Sequence, residues 1–360
     1  MPARSSPSPQ TGPPVDWVHD PLRIFAIGGG TGLSTLLKGL KKFAHQVGAS
    51  ALEPYVDITA MVTVTDDGGS SGRLRREFDM LPPGDVRNCI VALSEDEALL
   101  ARLFQYRFSS GRGLKGHSFG NLFLTALTQI TGDFARAVEL SSAVLAIAGR
   151  IFPSTRQNVS LRAVLADGRH VEGETRISRS GAPIARIELV PPSVRPSPGI
   201  LEAIARADLI TLGPGSLFTS IIPNLLVRGV ARAIHRSPAW KLCILNLMSQ
   251  PGETTGLTAA DHVEAIHQHA RAPFLQFALA NNAPIARPAL ARYVRAKAQQ
   301  VPLDRDRLEA LGLQVIELPL LARGEKIRHN PDLLAAAVVD LALHSRRGRL
   351  LAAPPRQGSR

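Results

Sequence analysis

Cysteine is almost missing from this chain. Two residues in 360, Cys89 in a helical pattern and Cys243 in a strand pattern, leave neither a disulfide framework nor the paired spacing of a zinc site, and both read as core. Long apolar runs are missing as well. No stretch reaches the roughly 20 residues needed to cross a bilayer, and the longest candidate, 121–147, is interrupted by Asp133, Arg136 and Glu139. The opening stretch MPARSSPSPQTGPPVDW lacks the apolar segment of a secretory signal. Its Pro, Ser and Gly content reads as a disordered leader over 1–21, and a cytoplasmic location is expected. What is present is ordinary: 44% hydrophobic and 20% charged residues, enough for a large α/β domain with a real core.

The formal charge of +12 is unevenly placed. Five arginines follow Ser345 and the leader through Asp20 carries −1, which leaves +8 for the body, without a long basic run or interleaved aromatics. That pattern suits anionic small ligands about as well as RNA. RNA binding through the Arg-rich tail would show a steep salt dependence. A nucleic-acid partner is not expected.

Apolar strands alternate with helical patterns along the body. RIFAIGGGTGL is a strand running through glycines into a helix with Leu33, Leu36, Leu37 and Leu40 on one face, and DITAMVTVT is a second strand. In PPGDVRNCIVAL Asp85 is the expected N-cap, and Ser94 with Glu97 forms a capping box for the next helix. Residues 121–147 read as helix with a break near Gly132. From 150 to 195 the pattern changes to short alternating runs with a hairpin turn at Asp167 and Gly168, an antiparallel insert. Strands DLITL, KLCILNL and LQVIEL follow, and the last helix starts with Asn330 as N-cap and Pro331 at its first position. The expected fold is a Rossmann-like parallel sheet flanked by helices, one domain over 22–343, with an Arg-rich disordered tail over 344–360. Ligands of such sheets bind beyond the carboxyl ends of the strands.

The glycine-rich loops fall there. GGGTGLS departs from the dinucleotide fingerprint, since Leu33 stands where its third glycine belongs, and it lacks the lysine of a P-loop. What it keeps is the physics of both: Gly29, Gly30, Thr31 and Gly32 let backbone approach a ligand and turn free amides toward an anion. In TDDGGSSGR, Asp66 and Asp67 would hold Mg²⁺ or sugar hydroxyls, with Gly69, Ser70, Ser71 and Arg73 beside them; the structural alternative is an Asx turn that starts a helix at Ser71. GHSFG has the form of a nucleophile elbow around Ser118, but SSGRGLKG precedes it where an apolar strand is required. It is better read as a helix start that presents His117, Ser118 and Asn121. LGPGSLFTSIIPN repeats the first design with Gly213, Gly215, Ser216, Thr219, Ser220 and Asn224. Spacing in DHVEAIHQH sets its histidines on a solvated helix face rather than a metal site. One helix terminus contributes about 0.3 to 1 kcal/mol toward an anion against roughly 8 kcal/mol for micromolar binding, so the loops must converge.

Seven motifs in order, IGGGTGL, VTDDGGSSGRLR, PPGDVRN, GHSFGNL, ITGDFARA, LGPGSLFTSIIPNLLV and GETTGLTAADH, resemble the YvcK-type gluconeogenesis factors, which share a superfamily with the 2-phospho-L-lactate transferases, CofD. The resemblance spans about Arg23 to Leu343. It implies a Rossmann-like fold, binding of UDP-sugars such as UDP-N-acetylglucosamine, and a role joining carbon metabolism to cell-wall synthesis and cell shape. A protein partner of unknown identity is expected besides, and a homo-oligomer is a candidate assembly. On this reading Asp66, Arg87 and Asn88 contact sugar or metal, Asp85 belongs to the ligand-binding set, and Arg328 in IRHN helps hold the nucleotide. The transferase branch implies a metal-dependent transfer of a phosphorus group, with a divalent metal such as Mg²⁺ mapping onto Asp66 and Asp67. Leu257 stands where the YvcK branch commonly carries an aromatic residue, and it cannot stack on uracil.

Overall fold

The computed structural model describes residues 20–44, 55–95 and 99–352. Most of the leader, Glu97 of the expected capping box and the last eight residues lie outside them. β1 (Leu22–Gly28) is buried on both faces except at Arg23, as a central strand of a parallel sheet must be. It feeds α1 (Gly30–Leu40), whose four expected leucines are fully buried. β2 (Val56–Val62), α2 (Gly69–Phe78), α3 (Gly84–Leu93), α4 (Leu100–Gln105), α5 (Phe119–Thr131) and α6 (Phe134–Val144) then lead to β3 (Arg150–Pro153). The insert follows as β4 (Ser160–Leu165), β5 (His170–Glu172), α7 (Glu174–Ile177) and β6 (Ile184–Val190). The second half runs α8 (Ile200–Arg206), β7 (Leu209–Leu212), a wide helical turn Leu217–Ile221 continuing into α9 (Ile222–Leu226), α10 (Val230–Arg236) and β8 (Trp240–Ile244). α11 (Ala259–Ala270), β9 (Phe277–Asn281), α12 (Arg287–Arg295), α13 (Arg305–Ala310), β10 (Gln314–Leu318) and α14 (Pro331–Ala352) complete it.

Seven strands form one parallel sheet in the order β10-β9-β8-β7-β1-β2-β3. The chain builds outward from β1 in one direction, then restarts at β7 on its other side, with Ile24 opposite Leu209 and Ile27 opposite Leu212. That reversal is a topological switch point, and the carboxyl ends of β1 and β7 open a crevice there. Helix α1 lies over it between α3 and α14. Gly39 makes the contact with α14 possible, because a Cβ there would sit 2.0 Å from the Pro331 carbonyl oxygen.

Three local expectations change. Residues 150–153 leave the insert, because β3 pairs parallel with β2, Thr59 opposite Arg150, as the edge of the main sheet. The antiparallel sheet is β5-β4-β6, turning at Asp167 and Gly168, where φ is +83°. At α3 the N-cap is Pro83, and Asp85 is the second residue of the helix, within its first turn, where it accepts from the Gly30 amide of α1 instead. The tail expected from 344 is helical through Ala352. Its cause is Asp208, 3% exposed at its side chain, which accepts from Arg346 at 2.5 Å, from Arg349 and from the Arg23 amide at 2.8 Å. Cys89 and Cys243 are buried, unpaired core residues. Asn330 caps α14 through the amides of Asp332 and Leu333, and Gly132 ends α5 in a left-handed conformation. Among the described residues no single helix is long and apolar enough to cross a membrane.

Candidate functional site

The crevice at the switch point is a cleft of about 240 Å³. One wall is the first turn of α1, Gly29 to Gly32, and the opposite wall is the loop after β7 with Gly215, Ser216 and Ser220. The two walls touch at their base: a Cβ on Gly32 would lie 2.2 Å from the Pro214 carbonyl oxygen, so only glycine lets helix and loop meet. Asn246, at the end of β8, fixes the second wall, donating from Nδ2 to the Gly215 carbonyl at 2.8 Å while its Oδ1 accepts from the Gly215 amide. Gln250 donates to Ser216 Oγ at 2.5 Å and keeps an unpartnered, buried Oε1. Of the amides that open α1 and have no partner within the helix, that of Gly30 is held by the Asp85 carboxylate. Thr31 and Gly32 face the cleft.

Arg328 and His329 close the mouth. Burial pushes the His329 imidazole down to about 4, so it is neutral; one nitrogen donates to the Leu245 carbonyl and Nε2 is left without a partner. Tyr293 and Ile327 supply an apolar side, with the Tyr293 hydroxyl fixed by the Ile327 amide at 3.2 Å.

Behind the α1 wall lie carboxyls that burial makes reluctant to ionise. Asp85 is pushed up to about 7, first by desolvation and then by Asp66. Glu174, on the insert, is pushed up to about 9 by desolvation and then by Asp66, Asp85 and Glu253. Asp66 and Glu253 are raised for the same first reason.

The structure separates the sequence-expected residues into groups. Gly29, Gly30, Thr31, Gly32, Gly215, Ser216, Ser220 and Arg328 meet at the cleft. Gly213 supports it from below with φ +85°. Thr219 turns away toward Glu253, and Asn224 ties the Gly28 and Ser220 carbonyls together. Asp66 accepts from the Gly68 amide at 2.8 Å, the expected Asx turn, with Ser71 beside it; Gly69 opens α2. In the interior the Ser70 hydroxyl bonds to His117 Nδ1 and accepts from Asn121 Nδ2, and Ser118 caps α5. Arg73 donates to the Lys115 carbonyl. Arg87 reaches Ser118 and Asn88. Leu257 packs on the core rather than lining the cleft.

The expected metal pair does not fit. Asp67 Oδ1 accepts from the Thr175 amide at 2.9 Å and hydroxyl at 2.6 Å, which commits it to the insert, while Asp66 turns toward Gly68. No three metal-ligating side chains gather among the described residues.

Asn246, Gln250, Tyr293, His329, Glu174 and Glu253 were not singled out from sequence. The strand-end position of NLMSQPGE pointed to the first two, whereas Tyr293 sits in a helix with no local signal.

A family model described as 2-phospho-L-lactate transferase CofD matches residues 24–321. The chain belongs to the CofD family. Within it, the gluconeogenesis factor of Bacillus subtilis is 46% identical over 89% of this chain and 98% of its own. That of Halalkalibacterium halodurans is 46% identical over 88% and 95%. A crystal structure of a UPF0052-family protein from Bacillus halodurans superposes with a TM-score of 0.83 at 46% identity, covering 88% of this chain and 98% of that one. The chain therefore groups with the YvcK-type gluconeogenesis factors of the CofD family.

Proposed function

We propose that the protein is a regulator of the gluconeogenesis-factor type that binds a UDP-sugar, such as UDP-N-acetylglucosamine, in the switch-point cleft, and that it links carbon metabolism to cell-wall synthesis and cell shape. The observation that carries this reading is the facing of two glycine walls, residues 29–32 and 215–216, with Arg328 across their mouth. A diphosphate would lie over the Thr31 and Gly32 amides. One helix start supplies at most about 2 kcal/mol, and charge-assisted bonds from Arg328 add about 1.5 to 3. The rest of the roughly 8 kcal/mol of micromolar affinity falls to base and sugar. Tyr293 is the ring available to pack on uracil in place of Leu257, and the His329 Nε2 and Gln250 Oε1 acceptors suit hydroxyl or N–H donors.

Isothermal calorimetry with UDP-N-acetylglucosamine tests it. Micromolar binding is expected, weakened about tenfold or more in Arg328→Ala and clearly weakened in Tyr293→Ala. Absence of binding up to millimolar ligand overturns the reading. The competing reading, phosphorus-group transfer as the family description suggests, predicts Mg²⁺-dependent consumption of an acceptor that is lost in Asp66→Asn. The commitment of Asp67 to Thr175 weighs against it.

A further inference from the structure

We propose that the chain holds a second anion site beside the nucleotide cleft: a basic hollow between α1, α3, α4 and the segment before α14 that takes a small molecule carrying two or more phosphate groups. The hollow encloses about 710 Å³ and is lined by Lys38, Arg87, Arg102, Arg107 and Arg328, with no carboxylate among its lining residues. That volume matches a small-molecule site.

These five cations share one hollow with no acid in its lining, and among the described residues none of them makes an ion pair. Arg87 is also held still, by Ser118 and Asn88, with its Nε buried and unpartnered. Arg107, anchored on the Gly116 carbonyl, is close enough to oppose its charge. Asp85 and Asp66 offset part of that charge, and they are not among the residues lining the hollow. Fixed guanidiniums that repel one another and face a solvent-sized hollow are stabilised by an anion. Phosphate suits the count: each group carries about −1.5 to −2, so two supply about −3 to −4 against the five cations, roughly twice what two carboxylates would supply. RNA is disfavoured because no phenyl, phenol or indole ring lines the hollow for bases to stack on.

The hollow shares Thr31, Thr35, Arg328 and His329 with the nucleotide cleft. The two ligands therefore compete for Arg328 and weaken each other; this coupling alone rests on the nucleotide reading.

Pyrophosphate is titrated calorimetrically into the full chain, into an Arg102→Ala/Arg107→Ala double variant and into Tyr293→Ala. Both arginine side chains are exposed, and a thermal melt of the double variant checks that it is folded. The wild type is expected to bind one pyrophosphate, the double variant about tenfold or more weakly, and Tyr293→Ala with wild-type affinity. No binding by the wild type overturns the site, as does equal affinity in the double variant, which would put the anion at the start of α1. UDP titrated separately reads the nucleotide cleft, so its failure leaves the pyrophosphate result standing. Where both bind, each lowers the affinity of the other about fivefold, and the two factors are equal by linkage.

Discussion

Replacing Asp85 by asparagine removes one charge from behind the α1 wall while keeping its shape. In the folded chain the Asp85 carboxyl is raised from 3.8 to about 7, chiefly because burial disfavours its ionised form. Such a group favours folding in its neutral form. Its contribution is complete below the unfolded value near 4 and is lost as pH rises toward 7. From pH 5 to pH 8 the titration spans about two units below the folded pKa, and at roughly 1.4 kcal/mol per unit the wild type loses about 2 to 3 kcal/mol that the amide does not lose. The same charge raises Glu174, so its removal adds in the same direction. Guanidinium unfolding of both proteins at pH 5 and pH 8 measures the difference: Asp85→Asn should gain on the wild type by about 2 to 3 kcal/mol across that interval. An identical stability gap at the two pH values would show that Asp85 does not titrate there. The nucleotide reading adds a second consequence. An ionised Asp85, bonded to the Gly30 amide, opposes a diphosphate on the neighbouring amides, so UDP-sugar binding should weaken as pH rises through 7 in the wild type and stay level in the variant.

Gly32→Ala would push a Cβ against the Pro214 carbonyl oxygen, a backbone atom that cannot step aside; a loss of about 1 to 3 kcal/mol is expected by chemical denaturation, together with weakened nucleotide binding, and wild-type values for both would refute the contact. Deleting residues after Ser345 strips Asp208 of Arg346 and Arg349 while it stays buried. The expected cost is about 3 to 5 kcal/mol, and an unchanged melting curve would mean that the tail is dispensable. Asp67→Ala removes two of the bonds that hold α7, about 1.5 to 3 kcal/mol, and should speed limited proteolysis around Thr175; an unaltered cleavage rate would show that the insert is held elsewhere.

Periodicity and punctuation carried most of the architecture. Strand β1 running through Gly28 into the leucine face of α1 was readable because strand, glycine and helix signals are consecutive. So was the Asn330-Pro331 start of α14. What sequence could not supply were partners far apart along the chain. Arg346 and Arg349 resemble a solvated tail until Asp208, over 130 residues away, is placed beneath them. Tyr293 belongs to a helix whose face carries no marker of a ligand, and only the return of the chain near Ile327 brings its ring to the cleft.

The two adjacent aspartates show why spacing misleads at the point where chemistry is most tempting. Neighbours along an extended chain leave it on opposite faces, so a DD pair beyond a strand end divides its charges instead of pooling them. Asp67 goes to Thr175 and anchors the insert; Asp66 goes to Gly68 and meets Asp85 and Glu174, which come from α3 and α7. The carboxyls that influence one another are therefore contributed by three separate segments. Their mutual repulsion, together with burial, keeps protons available near neutral pH directly behind the amides proposed to receive a diphosphate. Anion binding on one side of α1 and proton occupancy on the other therefore favour each other through a single turn of helix, and an anionic ligand in this cleft is expected to bind more weakly as Asp85 ionises.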